Sequence, residues 1–218
     1  MSQPPRTKQH EEDGMGSGLT VVGIGGGGCN TVSDLCELGV DGATLVAVNT
    51  DEVALARNLC PHRVVVTDPF DADSAMAPYF DDTRLVVLTS GFGGRSGTTY
   101  TPVIARAAKD RDLPVVGLIF TSFTFEGRVR KATAQEGLAT LRGIVDWAAE
   151  LPCSELAQTV TEETWSIAKI FRTVSEDIQR WLGTLGPLLA TGTVDPAAAK
   201  DALLSSSLHR RVRFPLDH

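Results

Sequence analysis

Two apolar runs of this chain each end in a dense cluster of glycines, and each cluster leads into residues with helical spacing. Leu19–Ile24 (LTVVGI) runs into Gly23-Ile24-Gly25-Gly26-Gly27-Gly28-Cys29-Asn30, and Arg84–Thr89 (RLVVLT) runs into Ser90-Gly91-Phe92-Gly93-Gly94-Arg95-Ser96-Gly97-Thr98-Thr99. A short apolar run bounded by glycine reads as a buried strand. Thr44–Asn49, Arg63–Val66 and Pro114–Phe120 read the same way. Helical spacing separates them, at Asn30–Leu38, Val53–Asn58 and Thr101–Lys109, the last with Pro102 in its first turn. Asp68–Asp82 is acidic and reads as loop plus a weak helix. The alternation predicts an α/β fold, a Rossmann-like, mostly parallel sheet with helices on both faces. Continuous apolar strands fit a sheet covered on both sides.

The last third reads as helical. Leu138, Leu141, Ile144, Val145, Ala148 and Leu151 step by three and four, and Pro152 ends that helix. Ile167, Phe171, Val174, Ile178, Leu182 and Leu185 repeat the pattern as a long central helix, stopped by Gly186-Pro187. One more helix is expected over Ala197–Ser206. The polar start, residues 1–18, reads as a disordered tail, 19–207 as the folded domain, and 208–218 as a short basic end left in solvent.

Composition narrows the chemistry. Hydrophobic residues make up 42% of the 218, enough for a real core. The net charge of −7 argues against broad nucleic-acid binding, which needs a basic face. No run approaches the roughly 18 apolar residues of a membrane span, so a cytoplasmic location is expected. The cysteines, Cys29, Cys36, Cys60 and Cys153, form no Cys-x-x-Cys pair, and no metal site is expected.

Glycines let backbone N–H groups approach phosphate oxygens, and a helix N-terminus adds partial positive charge. The first cluster alone is ambiguous, because Gly23, Gly25 and Gly28 also satisfy the dinucleotide pattern G-x-G-x-x-G, with Asp51 after the second strand. The second cluster favours two loops gripping one polyphosphate, with Ser96 and Thr98 as hydroxyl donors. No Walker-type G-x-x-x-x-G-K-[ST] is present.

At these residues the chain resembles the FtsZ/tubulin family. Gly25 to Asn30 is similar to that family's first glycine loop, and Val48-Asn49-Thr50-Asp51 to the segment after its second strand. Gly91 to Thr99 is similar to the signature GGGTGTG, with Arg95, Ser96 and Thr99 as replacements. Ser122-Phe123-Thr124-Phe125-Glu126-Gly127-Arg128-Val129-Arg130 is similar to PF-x-FEG-x-x-R. The resemblance implies a tubulin/FtsZ-type nucleotide-binding domain that takes GTP or GDP, with Mg2+ accompanying the nucleotide. It places the phosphates on Gly25, Gly26, Gly27, Gly28, Cys29 and Asn30 and on Gly93, Gly94, Arg95, Ser96, Gly97, Thr98 and Thr99. Glu126 would hold the ribose, Arg130 would lie beside sugar and phosphates, and Phe171 would pack on the base.

The departures from the family are specific. Ser175 stands where the family reads guanine with Asp or Asn. His62 to Asp82 contains no glycine where a loop should cover the terminal phosphate. Arg95 could pair with phosphate or fill the pocket. In the family, acidic residues after the central helix of one subunit act on the next subunit's nucleotide. Thr193-Val194-Asp195-Pro196-Ala197-Ala198 keeps Asp195 as the catalytic candidate, with Ala198 in place of the second acid. Asp195 also reads as a helix N-cap. The second domain of the family is expected to be missing. The resemblance thus implies a GTP-binding protein of cell division or of a cytoskeletal polymer that self-associates or co-assembles with an FtsZ-like partner, with hydrolysis slow or absent unless assembled. The alternative is a non-catalytic module acting on a full-length polymer.

Overall fold

The computed structural model describes residues 18–159, 166–192 and 194–215. The N-terminal tail, Thr193 and the last three residues of the basic end lie outside the described residues. Six parallel strands form one sheet in the order β3-β2-β1-β4-β5-β6. They are β1 (Leu19–Ile24), β2 (Thr44–Asn49), β3 (His62–Val65), β4 (Leu85–Gly91), β5 (Val115–Thr121) and β6 (Trp147–Pro152). The helices between and after them are α1 (Gly25–Leu38), α2 (Glu52–Ala56), α3 (Ala72–Met76), α4 (Arg95–Lys109), α5 (Arg128–Arg142), α6 (Cys153–Leu156), α7 (Ile167–Ala190) and α8 (Pro196–Leu204).

Alternation along each strand feeds two cores. Leu19 and Val21 of β1 and Val116, Leu118 and Phe120 of β5 face α1 and α7. Val22 and Ile24 of β1 and Val115 and Ile119 of β5 face α3, α4 and α5. The strand order reverses between β1 and β4, which pair in register from Leu19↔Leu85 to Ile24↔Ser90. The carboxyl ends of these two strands therefore lie side by side, and the chain leaves them into α1 and α4. In an open α/β sheet this reversal opens a crevice at that edge.

Four expectations change. First, both helices start inside the glycine clusters: α1 begins at Gly25 rather than Asn30, and α4 at Arg95 rather than Thr101. Pro102 consequently lies inside α4 and forfeits a ladder hydrogen bond to the Thr98 carbonyl. Second, α5 ends at Arg142, and Trp147–Pro152 is the sixth strand. Its residues are buried on both sides, so its apolar run shows no alternation that would separate it from a helix. The Asp146 carboxylate fixes its start by accepting from the Val115 N–H at 2.7 Å and pairing with Lys109 at 3.0 Å. Third, α7 runs through Gly186-Pro187 to Ala190. The residue before a proline resists helix through its Cβ, and Gly186 has none.

Fourth, the C-terminal segment is docked. Leu208 is fully buried, in the turn Ser207–Arg211. Arg211 and Arg180 pair with the buried Asp177 of α7, and the Ser207 hydroxyl donates to it. Arg213 then exchanges two backbone hydrogen bonds of 2.8 Å with Glu150 on the outer edge of β6. No helix among the described residues is long and apolar enough to cross a membrane.

Candidate functional site

The N-termini of α1 and α4 meet. A Cβ on Gly25 would lie 2.8 Å from the Gly97 nitrogen, and one on Gly27 would lie 3.3 Å from the Gly91 Cα. This contact follows from the fold, because adjacent strands β1 and β4 deliver the two helices. The first N–H groups of a helix have no partner within it. Neither N-terminus has a side-chain cap, and neither has an acidic residue in its first turn. Two uncapped positive helix ends thus share one place.

They border a cleft of about 360 Å³ at the carboxyl edge of the sheet. It is lined at the helix termini by Gly26, Gly27, Gly94, Arg95, Ser96 and Gly97, and further by the apolar Phe120, Phe123, Phe125, Ile167 and Phe171 and the polar Asn30, Glu126 and Arg130. Phe171 packs on Phe120 at 4.7 Å between centroids, and Phe125, although exposed, stacks on Phe123 at 5.0 Å. The Glu126 carboxylate accepts from the Phe123 N–H at 2.8 Å and pairs with Arg130 at 2.7 Å. Arg130 reaches back to Gly94: a Cβ there would lie 3.4 Å from its Nη2. The cleft suits a ligand that combines an anionic group, polar groups and a flat apolar face.

Several expected site residues do not line it. Gly28 packs on β4, where a Cβ would stand 2.2 Å from the Thr89 carbonyl oxygen. The Cys29 side chain points into the core, its thiol donating to the Val48 carbonyl at 3.4 Å; burial pushes its pKa up to about 12. Gly25 is covered by Gly97, and Gly93 is held against Ser122 with φ of 98°. Thr98 turns its hydroxyl back to accept from the Gly93 N–H at 3.0 Å, and Thr99 is exposed outside the cleft. Helix formation explains Gly28, Cys29, Thr98 and Thr99, because residues past the first turn spend their N–H groups on the helix; Gly25 and Gly93 are instead covered by Gly97 and Ser122.

Ser175 is fully buried and donates to Asp34 of α1 at 2.8 Å, away from the cleft. Asp195 caps α8 by accepting from the Ala197 N–H at 2.9 Å. The indole of Trp147, first residue of β6, donates to the Pro196 carbonyl at 2.7 Å. Asp195 is thereby at the amino edge of the sheet, opposite the cleft. Asp51 caps α2 and lines no part of the cleft.

Sequence reasoning missed Ile167, Phe125, Ser122 and Cys153 as lining residues. Ser122 and Phe125 lie within the recognised S-F-T-F-E-G segment, which was the available signal. The Ser122 hydroxyl is buried without a hydrogen-bond partner among the described residues. The Cys153 thiol is pushed up to about 12, by burial first and by the neighbouring Glu126 carboxylate, so it supplies no thiolate nucleophile near neutral pH.

A doubly wound parallel sheet with a crevice where its strand order reverses is an α/β domain of the class that takes ligands at that edge. Comparison with known proteins makes this specific. Residues 71–160 match the Tubulin/FtsZ family, GTPase domain. The cell division protein FtsZ of Rickettsia felis is 32% identical over 178 residues, 73% of this chain and 39% of that protein. FtsZ 1 of Archaeoglobus fulgidus is 30% identical over 180 residues, 74% of this chain and 48% of that protein. The empty FtsZ dimer of M. jannaschii superposes with a TM-score of 0.65 at 29% identity, covering 81% of this chain and 55% of that one. CetZ2 of Haloferax volcanii, solved as a GTPγS-bound protofilament, has the same fold with a TM-score of 0.64 at 22% identity, covering 86% of this chain and 63% of that one. The chain belongs to the tubulin/FtsZ family, and it spans less than half the length of these two curated relatives.

Proposed function

We propose that this chain binds a guanine nucleotide in the cleft, as a GTP-binding member of an FtsZ-like division or cytoskeletal system. The observation that carries the reading is the meeting of Gly25 with Gly97, which joins two uncapped helix N-termini over one crevice. Phosphates accept from the N–H groups at the starts of α1 and α4. Glu126 and Arg130 hold the sugar, and Phe171, backed by Phe120, packs on the base. No group of three or more His, Cys, Asp or Glu among the described residues could hold a metal. A Mg2+ would therefore arrive bound to the phosphates, keeping most of its water ligands.

Asp195 and the cleft lie at opposite edges of the sheet, so stacking copies head to tail carries Asp195 of one towards the nucleotide of the next. A carboxylate there would orient the attacking water. With Ala198 in place of a second acid, hydrolysis is slow and rises with assembly. A second reading, a non-catalytic module that modulates a full-length polymer, is favoured by the inward turn of Ser175 and by Ala198.

Calorimetric titration with GTP, GDP, ATP and NAD tests the binding, the expected result being heat with GTP and GDP at micromolar affinity or weaker. Heat with NAD alone overturns the proposal. Phosphate release measured over a protein concentration series separates the two readings, since a shared site gives a specific rate that climbs with concentration. Ala198→Asp should then raise turnover.

A further inference from the structure

We infer that Arg95 reads the terminal phosphate and makes the cleft select a nucleoside triphosphate over a diphosphate. The inference rests on the nucleotide reading above and concerns which ligand charge the site prefers.

Arg95 is the first residue of α4, with Gly94 as N-cap. A cation is unfavourable at that end of a helix, because the unpaired N–H groups there already carry partial positive charge. The N-terminus of α1 adds a second such charge beside it. Proteins ordinarily relieve this arrangement with an acidic side chain, and this chain has 27 of them against 20 Lys and Arg. Neither first turn holds an acid, and Arg95 has no carboxylate partner among the described residues. The other arginine of the cleft differs, since Arg130 is neutralised by Glu126 at 2.7 Å. Among the described residues, the side-chain charge of the cleft that no carboxylate neutralises therefore sits at Arg95.

Space and access agree with the charge. Arg95 is exposed and lines the cleft beside Gly26, where a Cβ would meet nothing within 4 Å. Apart from Asn30, nothing between the glycines of α1 and Gly91 lines the cleft, so the segment joining β3 to β4 contributes no cover at this end. The exposed guanidinium is the donor placed to meet a phosphate that extends past the two helix termini. Its planar fork can bond two oxygens of one phosphate. A diphosphate already satisfied by the helix termini gains little from this fork, and a third phosphate gains a charge-assisted pair.

The test measures the GTP and GDP affinities of the full chain and of Arg95→Ala, Arg95→Lys and Arg128→Ala by calorimetry, with thermal melts as a control on folding. Arg128 is exposed and lines no part of the cleft. Arg95→Ala should lower the ratio of GTP to GDP affinity by about tenfold, the scale of one charge-assisted hydrogen bond. Arg95→Lys should restore part of the ratio, and Arg128→Ala should leave it unchanged. Inorganic tripolyphosphate and pyrophosphate, probes without a base, should show the same preference and the same loss. An unchanged ratio in Arg95→Ala overturns the assignment while the nucleotide reading stands. Tighter binding of both nucleotides by Arg95→Ala also overturns it, showing that the side chain occupies the cleft. Wild-type protein that binds neither nucleotide overturns the nucleotide reading itself.

Discussion

Glycines that look equivalent in the sequence have opposite duties in the structure. Gly97 is a packing glycine: a Cβ would stand 2.2 Å from the Gly91 oxygen and 2.6 Å from the Ser90 hydroxyl. Gly97→Ala should cost about 3 kcal/mol of stability, measured by urea unfolding. Gly26 faces open space, so Gly26→Ala should change stability by less than about 0.5 kcal/mol and still weaken GTP binding about tenfold by filling the cleft. Both glycines were legible as glycine-cluster residues, but the neighbour each one meets was not, since Gly91 and Gly97 approach through the curl of the chain between β4 and α4. Cys29 shows the same gap. Its place in the first cluster suggested phosphate contact, whereas its thiol lies in the core, with a pKa near 12. Iodoacetamide at pH 8 should leave Cys29 unlabelled in the folded protein and label it after denaturation, as mass spectrometry of the peptide would show.

At the level of elements, strands β1 to β5 were legible because short apolar runs ended in turn residues. The sixth strand was not, because Ala148 and Leu151 continue the helical spacing from Leu138 and its sequence, WAAELP, lacks the β-branched residues of the other strands. Helix α7 was recognised by its stripe, yet the side on which each polar residue falls was decided by α1. Ser175, Arg172 and Asp34 form a polar seam between the two helices, with the Ser175 hydroxyl on one Asp34 oxygen at 2.8 Å and Arg172 on the other at 3.3 Å. Ser175→Ala should therefore cost about 1 kcal/mol of stability and leave nucleotide affinity unaltered. A loss of guanine affinity without a loss of stability would show that Ser175 faces the base instead.

For the whole molecule, the C-terminal segment acts as a strap. Its Arg211 and Ser207 hold Asp177, which is 2% exposed, and its Arg213 covers the outer edge of β6. An uncovered strand edge invites pairing with another chain. Burial disfavours the ionised Asp177, but the bonds from Ser207, Arg180 and Arg211 outweigh it and hold its pKa below the usual carboxylate value. A depressed carboxylate contributes stability above its unfolded pKa, near 3.9, and the contribution disappears as pH falls through the folded value. Asp177→Asn should cost on the order of 3 kcal/mol at pH 7 and flatten the acid limb of a stability–pH curve from chemical denaturation. By itself the sequence determined the order of the first five strands with the helices between them, and the two glycine clusters at strand ends. These are written in local periodicity and turn chemistry, which a chain carries without its tertiary contacts. Only the folded structure decided that Cys29 and Ser175 turn inward, that Arg95 has no carboxylate partner among the described residues, and that a basic end docks. Those outcomes depend on partners far away in sequence, Asp34 with Ser175 and Asp177 with Arg211, and no local pattern specifies which distant group a side chain meets.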